Sequence, residues 1–280
     1  VSWRSSQYRL KGTSTETKEV SVLFLISPAK QMQRDDGFSL RLQEPRFLAE
    51  AEELAGALFS LGKQGAQKVW RTSDTLTERA WEITEHLPEE LIDGVRTPAV
   101  MAYVGIQYQH LAPSVMTEKE LLWLDRHLRI LSGLYGVVAP NDGIVPYRLE
   151  MGSKLAVGGA KDLYSFWGGK IAASLAEEPG GETFVLCASH EYARAVLPHV
   201  PKGVAVLSCE FMAPRKRDGK LAEAAPEVKA ARGCFVRWCA EEGIEDASEL
   251  VHFAERGYLF APTLSLGGHL VFVRAASDSQ

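Results

Sequence analysis

From Leu131 to Gly152 the chain reads Leu-Ser-Gly-Leu-Tyr-Gly-Val-Val-Ala-Pro-Asn-Asp-Gly-Ile-Val-Pro-Tyr-Arg-Leu-Glu-Met-Gly, which packs glycines, aromatic rings and both signs of charge into one short, helix-poor segment. Gly133 and Gly136 permit positive φ or close backbone approach, while Pro140 and Pro146 stiffen the path. A rigid loop of this kind can present Tyr135, Asp142, Tyr147, Arg148 and Glu150 to a ligand. A carboxylate desolvated beside an aromatic wall holds its proton more tightly and can carry it in catalysis, so Asp142, Glu150 and Glu191 are the candidate proton carriers. A structural hairpin closed by an ion pair is the competing account, and the residues alone leave both open.

The groups that would complete a site stand at the ends of expected strands. Ser27 to Lys30, Ser132 to Tyr135 and Ser189 to Tyr192 each follow an apolar run, and in α/β proteins ligands collect at that edge. If the sheet is continuous, Ser27, Lys30, Ser132, Arg148, Lys161, Ser189, Lys229 and Arg232 meet there, with Tyr135, Tyr147, Tyr164 and Trp167 as stacking faces. Arginine offers a planar fork to phosphate and lysine a mobile point charge, and an aromatic face accepts any base. That combination points to nucleic acid or a nucleotide. His190, beside Glu191, is the one histidine placed for a role in the same rim. No GxSxG, Walker loop or strand-following GxGxxG occurs.

The elements that must position these residues follow from hydrophobic periodicity. Strands are expected at 21–26, 99–108, 128–131, 184–188, 203–208 and 268–274, and helices at 45–60, 118–127, 166–176, 191–196, 227–241 and 248–256, with another beginning over 65–70. Alternating strands and helices predict one α/β domain over 21–275 with a mixed sheet, preceded by a flexible extension over 1–20. The turn Leu61-Gly62-Lys63-Gln64-Gly65 between two helices is a helix-hairpin-helix candidate, with Gly62 and Gly65 freeing amides for a DNA phosphate and Lys63, Lys68 and Arg71 adding charge.

Bulk properties narrow the class. The 280 residues are 46% hydrophobic and 24% charged, enough to bury one large core. A net charge of −5 gives no global attraction to nucleic acid or acidic membrane, so DNA contact must be local. Cys187, Cys209, Cys234 and Cys239 lack metal-site spacing, so no metal is expected and no cofactor is assigned. The chain has no membrane-length apolar run, which leads us to expect a cytoplasmic protein, with a monomer favoured.

The 131–152 segment also resembles the signature of the YaaA family of bacterial peroxide-stress proteins. Further similarities follow in order: Ile26-Ser-Pro-Ala-Lys30, Lys161-Asp-Leu-Tyr164-Ser-Phe-Trp167-Gly168, Ala188-Ser189-His190-Glu191-Tyr192, Ala231-Arg232-Gly233 after Lys229, and Gly257-Tyr258. The resemblance implies a YaaA-like fold and binding of double-stranded DNA through a basic, aromatic-lined cleft and a helix-hairpin-helix. Departures cluster in the same places: the run Gly105-Ile106-Gln107-Tyr108 lacks the family's acidic residue and second glycine, and Lys229-Ala230 replaces a lysine pair. These departures motivate the alternative expectation, an enzyme acting on a purine nucleobase or nucleotide in the same cleft.

Overall fold

Two apolar runs, Val22 to Ile26 and Phe184 to Cys187, are too short for helices and almost wholly buried, as strands covered on both faces must be. They lie side by side at the centre of a computed structural model that describes residues 22–35, 41–215 and 217–274. The expected extension over 1–20 falls outside the described residues.

The main sheet comprises β1 (Leu23–Ile26), β2 (Leu128–Ser132), β3 (Gly136–Val138), β4 (Thr183–Cys187), β5 (Ala205–Pro214), β6 (Leu221–Ala222), β7 (Tyr258–Phe260) and β8 (His269–Arg274). Its order is β7-β8-β5-β4-β1-β2-β3, with β6 paired to the end of β5. The five inner strands are mutually parallel, and β3, β6 and β7 add antiparallel pairings. In register, Ile26 is level with Ile130 of β2 and Cys187 of β4, so the carboxyl ends of three neighbouring strands form one rim. The chain is thus a single compact α/β domain with a mixed sheet flanked by helices.

Four helices, α1 (Leu48–Ser60), α2 (Gly62–Trp70), α3 (Asp74–Thr84) and α4 (Leu87–Asp93), pack together after β1. They are followed by α5 (Ile106–Leu111), α6 (Glu118–His127) and the long α7 (Ala225–Glu242). Thr117 and Glu120 form a reciprocal capping box that starts α6. Gly243, at φ 67°, ends α7 in the left-handed conformation that glycine adopts without strain. Phe211, Phe235, Phe253 and Phe272 interlock between β5, α7 and β8 with ring centroids 5.1–5.9 Å apart.

Several expected elements differ. Residues 99–108 do not form a core strand: Ala99–Ala102 is a helical turn started by Pro98, Tyr103–Val104 is a two-residue strand, and α5 begins after Gly105. The apolar run 99–103 is buried throughout and carries no periodicity to separate helix from strand, so the pattern could not decide. The expected 166–176 helix is broken at Gly168, where φ is 47°, into Leu163–Trp167 and Lys170–Ala176. Residues 248–256 contain two short 3-10 turns, Ala247–His252 and Glu255–Gly257. The junction of α1 and α2 is the single residue Leu61. Gly62, at φ 62°, opens α2, and Gly65 lies inside that helix.

Cys187, Cys209 and Cys239 are buried free thiols, and burial pushes the Cys209 and Cys239 thiols well up. Among the described residues no helix is long and apolar enough to cross a membrane. Those residues contain no cluster of three or more His, Cys, Asp or Glu side chains that could hold a metal ion.

Candidate ligand-binding cleft

The rim encloses a cleft of about 480 Å³. Lys30, Arg148, Lys229 and Arg232 line it together with Glu150, Glu191, Ser27, Ser189, Tyr108, Tyr147 and Tyr192. Each group is held there by a local feature of the sequence.

Ser27 follows β1, and its hydroxyl accepts a 2.8 Å hydrogen bond from the Ser189 amide, tying the ends of β1 and β4 together. The same hydroxyl donates to Ser189 Oγ at 3.3 Å. Ser189 thereby keeps its own hydroxyl proton available to a ligand. The Tyr108 hydroxyl donates to the Ser27 carbonyl at 2.9 Å, fastening α5 over the same corner.

Gly133 explains how Arg148 and Glu150 reach the cleft. A Cβ there would sit 2.3 Å from the Leu149 carbonyl, so only glycine lets the turn after β2 close on the 148–150 segment. Trp70 of α2 donates its indole N–H to the Arg148 carbonyl at 2.7 Å, which anchors the segment from the other side. Arg148 Nη2 lies 2.9 Å and Lys30 Nζ 3.3 Å from the same oxygen, Oε1 of Glu150. Both cations make their closest approach to that one oxygen.

Gly233 plays the same part for Arg232. Its missing side chain admits the Gln107 carbonyl, which would lie 2.2 Å from a Cβ, so α7 crosses α5 in close contact. Lys229 and Arg232, three residues apart, then share the helix face that meets the cleft. Arg232 is mostly buried, is 3.6 Å from Glu223, and keeps a buried Nε without a hydrogen-bond partner. Lys229 is exposed and makes no ion pair among the described residues.

Below the cleft runs a buried hydroxyl chain. Ser132 Oγ accepts from the Tyr135 amide at 2.9 Å and lies 2.7 Å from the Tyr147 hydroxyl, which is 2.9 Å from that of Tyr103. Burial pushes Tyr147 up to about 12, against the opposing effect of its hydrogen bonds to Ser132 and Tyr103. The chain is neutral at physiological pH and links the cleft wall to the core.

The remaining expected site residues are placed elsewhere. Asp142 does not line the cleft: its carboxylate accepts from the Ala139 amide at 2.8 Å and closes the 139–142 turn. Burial raises it to about 6, opposed by that hydrogen bond and by Arg129. Tyr135 and Trp167 are core residues rather than stacking faces. The Tyr135 hydroxyl accepts from the Val145 amide at 3.2 Å, and the Trp167 indole N–H donates to the Gly133 carbonyl at 3.1 Å. Tyr164 stands behind the cleft, where its hydroxyl donates to the Glu191 carbonyl at 3.0 Å and Arg194 covers its ring. Glu191 does line the cleft, but its Oε1 accepts from the Gly152 amide at 2.8 Å, a bracing role. Lys161 is exposed beside Asp162, the cap of Leu163–Trp167, and His190 does not line the cleft.

Of the residues not singled out from sequence, Tyr108, Tyr192 and Gln107 line the cleft, and Trp70 and Tyr103 support it. Tyr192 closes a motif already in view. Trp70 and Tyr103 lie in apolar surroundings that read as ordinary core.

This arrangement defines a class: α/β proteins with a polar cleft, rich in cations and tyrosines, at the carboxyl rim of a mixed sheet. The family described as peroxide stress protein YaaA matches residues 22–264, and the chain belongs to that family. It is 44% identical over 253 residues to a UPF0246 protein of Lactobacillus delbrueckii subsp. bulgaricus, covering 90% of this chain and 99% of the relative. Similar proteins include UPF0246 proteins of Lacticaseibacillus paracasei, 38% identical over 89% of this chain and 98% of the relative, and Desulfitobacterium hafniense, 35% identical over 91% and 98%.

Proposed function

We propose that this YaaA-family protein binds a purine nucleotide in the rim cleft, with the phosphate held by Lys229 and Arg232. The observation that carries this reading is the division of charge in the cleft. Glu150 occupies Lys30 and Arg148, whereas among the described residues Lys229 makes no ion pair and Arg232 has one partner, Glu223, at 3.6 Å. One wall therefore retains attraction for a single anionic group, with the Ser189 hydroxyl as a further donor. A hollow of about 480 Å³ suits one nucleotide and not the width of a duplex. Glu150 is the candidate proton carrier if the bound purine is also modified, because its carboxylate lines the cleft. Melting the protein with AMP, GMP, free purines and inorganic phosphate tests the reading. A nucleotide at about 100 times its Kd stabilises by roughly 2.7 kcal/mol and raises the melting temperature by several degrees, and Arg232→Glu abolishes the rise. No shift with any nucleotide refutes it.

A second reading, binding of duplex DNA, draws on α1 and α2. They meet through one residue, α2 opens at Gly62, and Lys68 and Arg71 make no ion pair among the described residues. A helix-hairpin-helix of this form would present amides to a backbone phosphate. Against it, Lys63 is already bound to Glu78 at 2.5 Å. A gel-shift series at rising salt separates the two readings: duplex binding that weakens with salt and is lost in Lys68→Glu with Arg71→Glu supports the hairpin, and no retardation at low salt removes it.

A further inference from the structure

Next to the cleft lies a second hollow of about 380 Å³, and the two share Lys30, Gln31, Val104, Tyr147 and Arg148. Its far wall is α3. Leu76, Arg79, Ala80 and Ile83 stand at i, i+3, i+4 and i+7, one continuous face of that helix, and all four line the hollow. The face is unusual for its exposure. Leu76 is 49% and Ile83 37% exposed, whereas Thr77, Ala80 and Thr84 supply the buried contacts of α3. The near wall is Met32 and Val104, which belong to a two-stranded pair separate from the main sheet.

The two hollows differ in chemistry. The first contains Glu150 and Glu191 among its cations, together with serine hydroxyls. Among the described residues the second has no carboxylate in its lining; its walls are mainly apolar, and its cations are Lys30, Arg79 and Arg148. Arg79 is exposed and makes no ion pair among the described residues. A flat, apolar ring whose edge bears hydrogen-bond acceptors fits this combination, because aliphatic walls cover the ring faces and a guanidinium fork meets acceptors such as purine N7 and O6.

Resting on the nucleotide reading of the cleft, we propose that the second hollow is the base subsite: the phosphate lies against Lys229 and Arg232, the sugar passes Tyr147 and Arg148, and the purine sits against Leu76 and Ile83 with its acceptor edge toward Arg79. Continuity of the hollows supports one ligand spanning both. The subsite makes α3 a specificity element, and Arg79 favours guanine, which offers O6 beside N7, over adenine.

The test compares GMP, AMP and ribose 5-phosphate by calorimetric titration of the full chain and of Leu76→Asp, Arg79→Ala and Lys229→Glu. Leu76 is half exposed, so Leu76→Asp is expected to fold, and Ile83→Asp provides a second disruption of the same wall. Leu76→Asp and Ile83→Asp weaken both nucleotides about tenfold, a loss comparable to that of one base contact, and leave ribose 5-phosphate within about twofold. Arg79→Ala weakens GMP more than AMP, and Lys229→Glu weakens all three ligands. Nucleotide binding that depends on Lys229 but is indifferent to Leu76 and Ile83 overturns the base subsite and spares the cleft reading. Equal loss of ribose 5-phosphate and nucleotide in Leu76→Asp overturns the assigned orientation. Failure of every ligand to bind the unaltered protein overturns the cleft reading together with this one.

Discussion

Asp142→Asn separates a structural carboxylate from a catalytic one. In the folded protein burial raises Asp142 from 3.8 to about 6, although the Ala139 amide and Arg129 act the other way. Ionisation therefore costs more in the native state than in the unfolded chain. The native state binds this proton more tightly, so the contribution of Asp142 to stability is fully present below about pH 4 and is lost as pH rises through about 6. Moving the carboxyl from 3.8 to about 6 corresponds to at most roughly 3 kcal/mol, since the side chain is not fully sequestered. Asparagine keeps an oxygen for the Ala139 amide and has no charge to bury. Asp142→Asn is accordingly expected to match the parent protein near pH 4 and to gain stability progressively toward pH 7, by up to roughly 5–10 °C in melting temperature. Thermal melts from pH 4 to 7.5 give the difference curve. A difference independent of pH, or one that narrows as pH rises, refutes the reasoning. Unchanged ligand affinity in Asp142→Asn is expected as well, since Asp142 does not line the cleft.

Three further substitutions probe how the site is built. Gly233→Ala forces a Cβ to within 2.2 Å of the Gln107 carbonyl, so α7 must retreat from α5; a loss of about 1–3 kcal/mol or more in chemical denaturation, with weakened nucleotide binding, is expected. Tyr147→Phe deprives both Ser132 and Tyr103 of a buried partner and costs about 1–3 kcal/mol in the same assay, whereas a neutral effect would show that the hydroxyl chain contributes nothing. Glu150→Gln releases Lys30 and Arg148 from their counter-charge and is expected to tighten binding of inorganic phosphate in calorimetry; weaker binding would mean that Glu150 holds the cations in place for the ligand.

Much of the centre of this fold is legible in the sequence because it depends on local pattern. The short apolar runs at 22–26, 128–131 and 184–187 bury themselves as strands, and Ser27, Ser132 and Ser189 stand at or just past their carboxyl ends. Lys30 and Glu191 reach the cleft from that parallel rim, whereas Arg148 and Glu150 depend on the close approach at Gly133, and Lys229 and Arg232 on α7 crossing α5 at Gly233. Tyr135 and Trp167 show where such reasoning stops: aromatic residues beside glycines serve as stacking faces or as struts, and only the position of the Val145 amide and the Gly133 carbonyl decides between them. The 99–108 segment failed for another reason. Its first half, 99–103, is buried on every side and has no polar face to reveal its period, so Pro98 and Gly105 set the breaks through backbone geometry. The second hollow was hidden altogether, since the periodicity yields no helix over 74–84, and the i, i+3, i+4, i+7 face of α3 becomes a wall only where Gln31 and Val104 stand opposite it.

The most direct measurement is a crystal structure of the protein grown with GMP. Density is expected for the phosphate between Lys229 and Arg232, with the base extending past Arg148. A nucleotide bound at any other surface, or a cleft still empty at saturating GMP in solution and crystal alike, would contradict it.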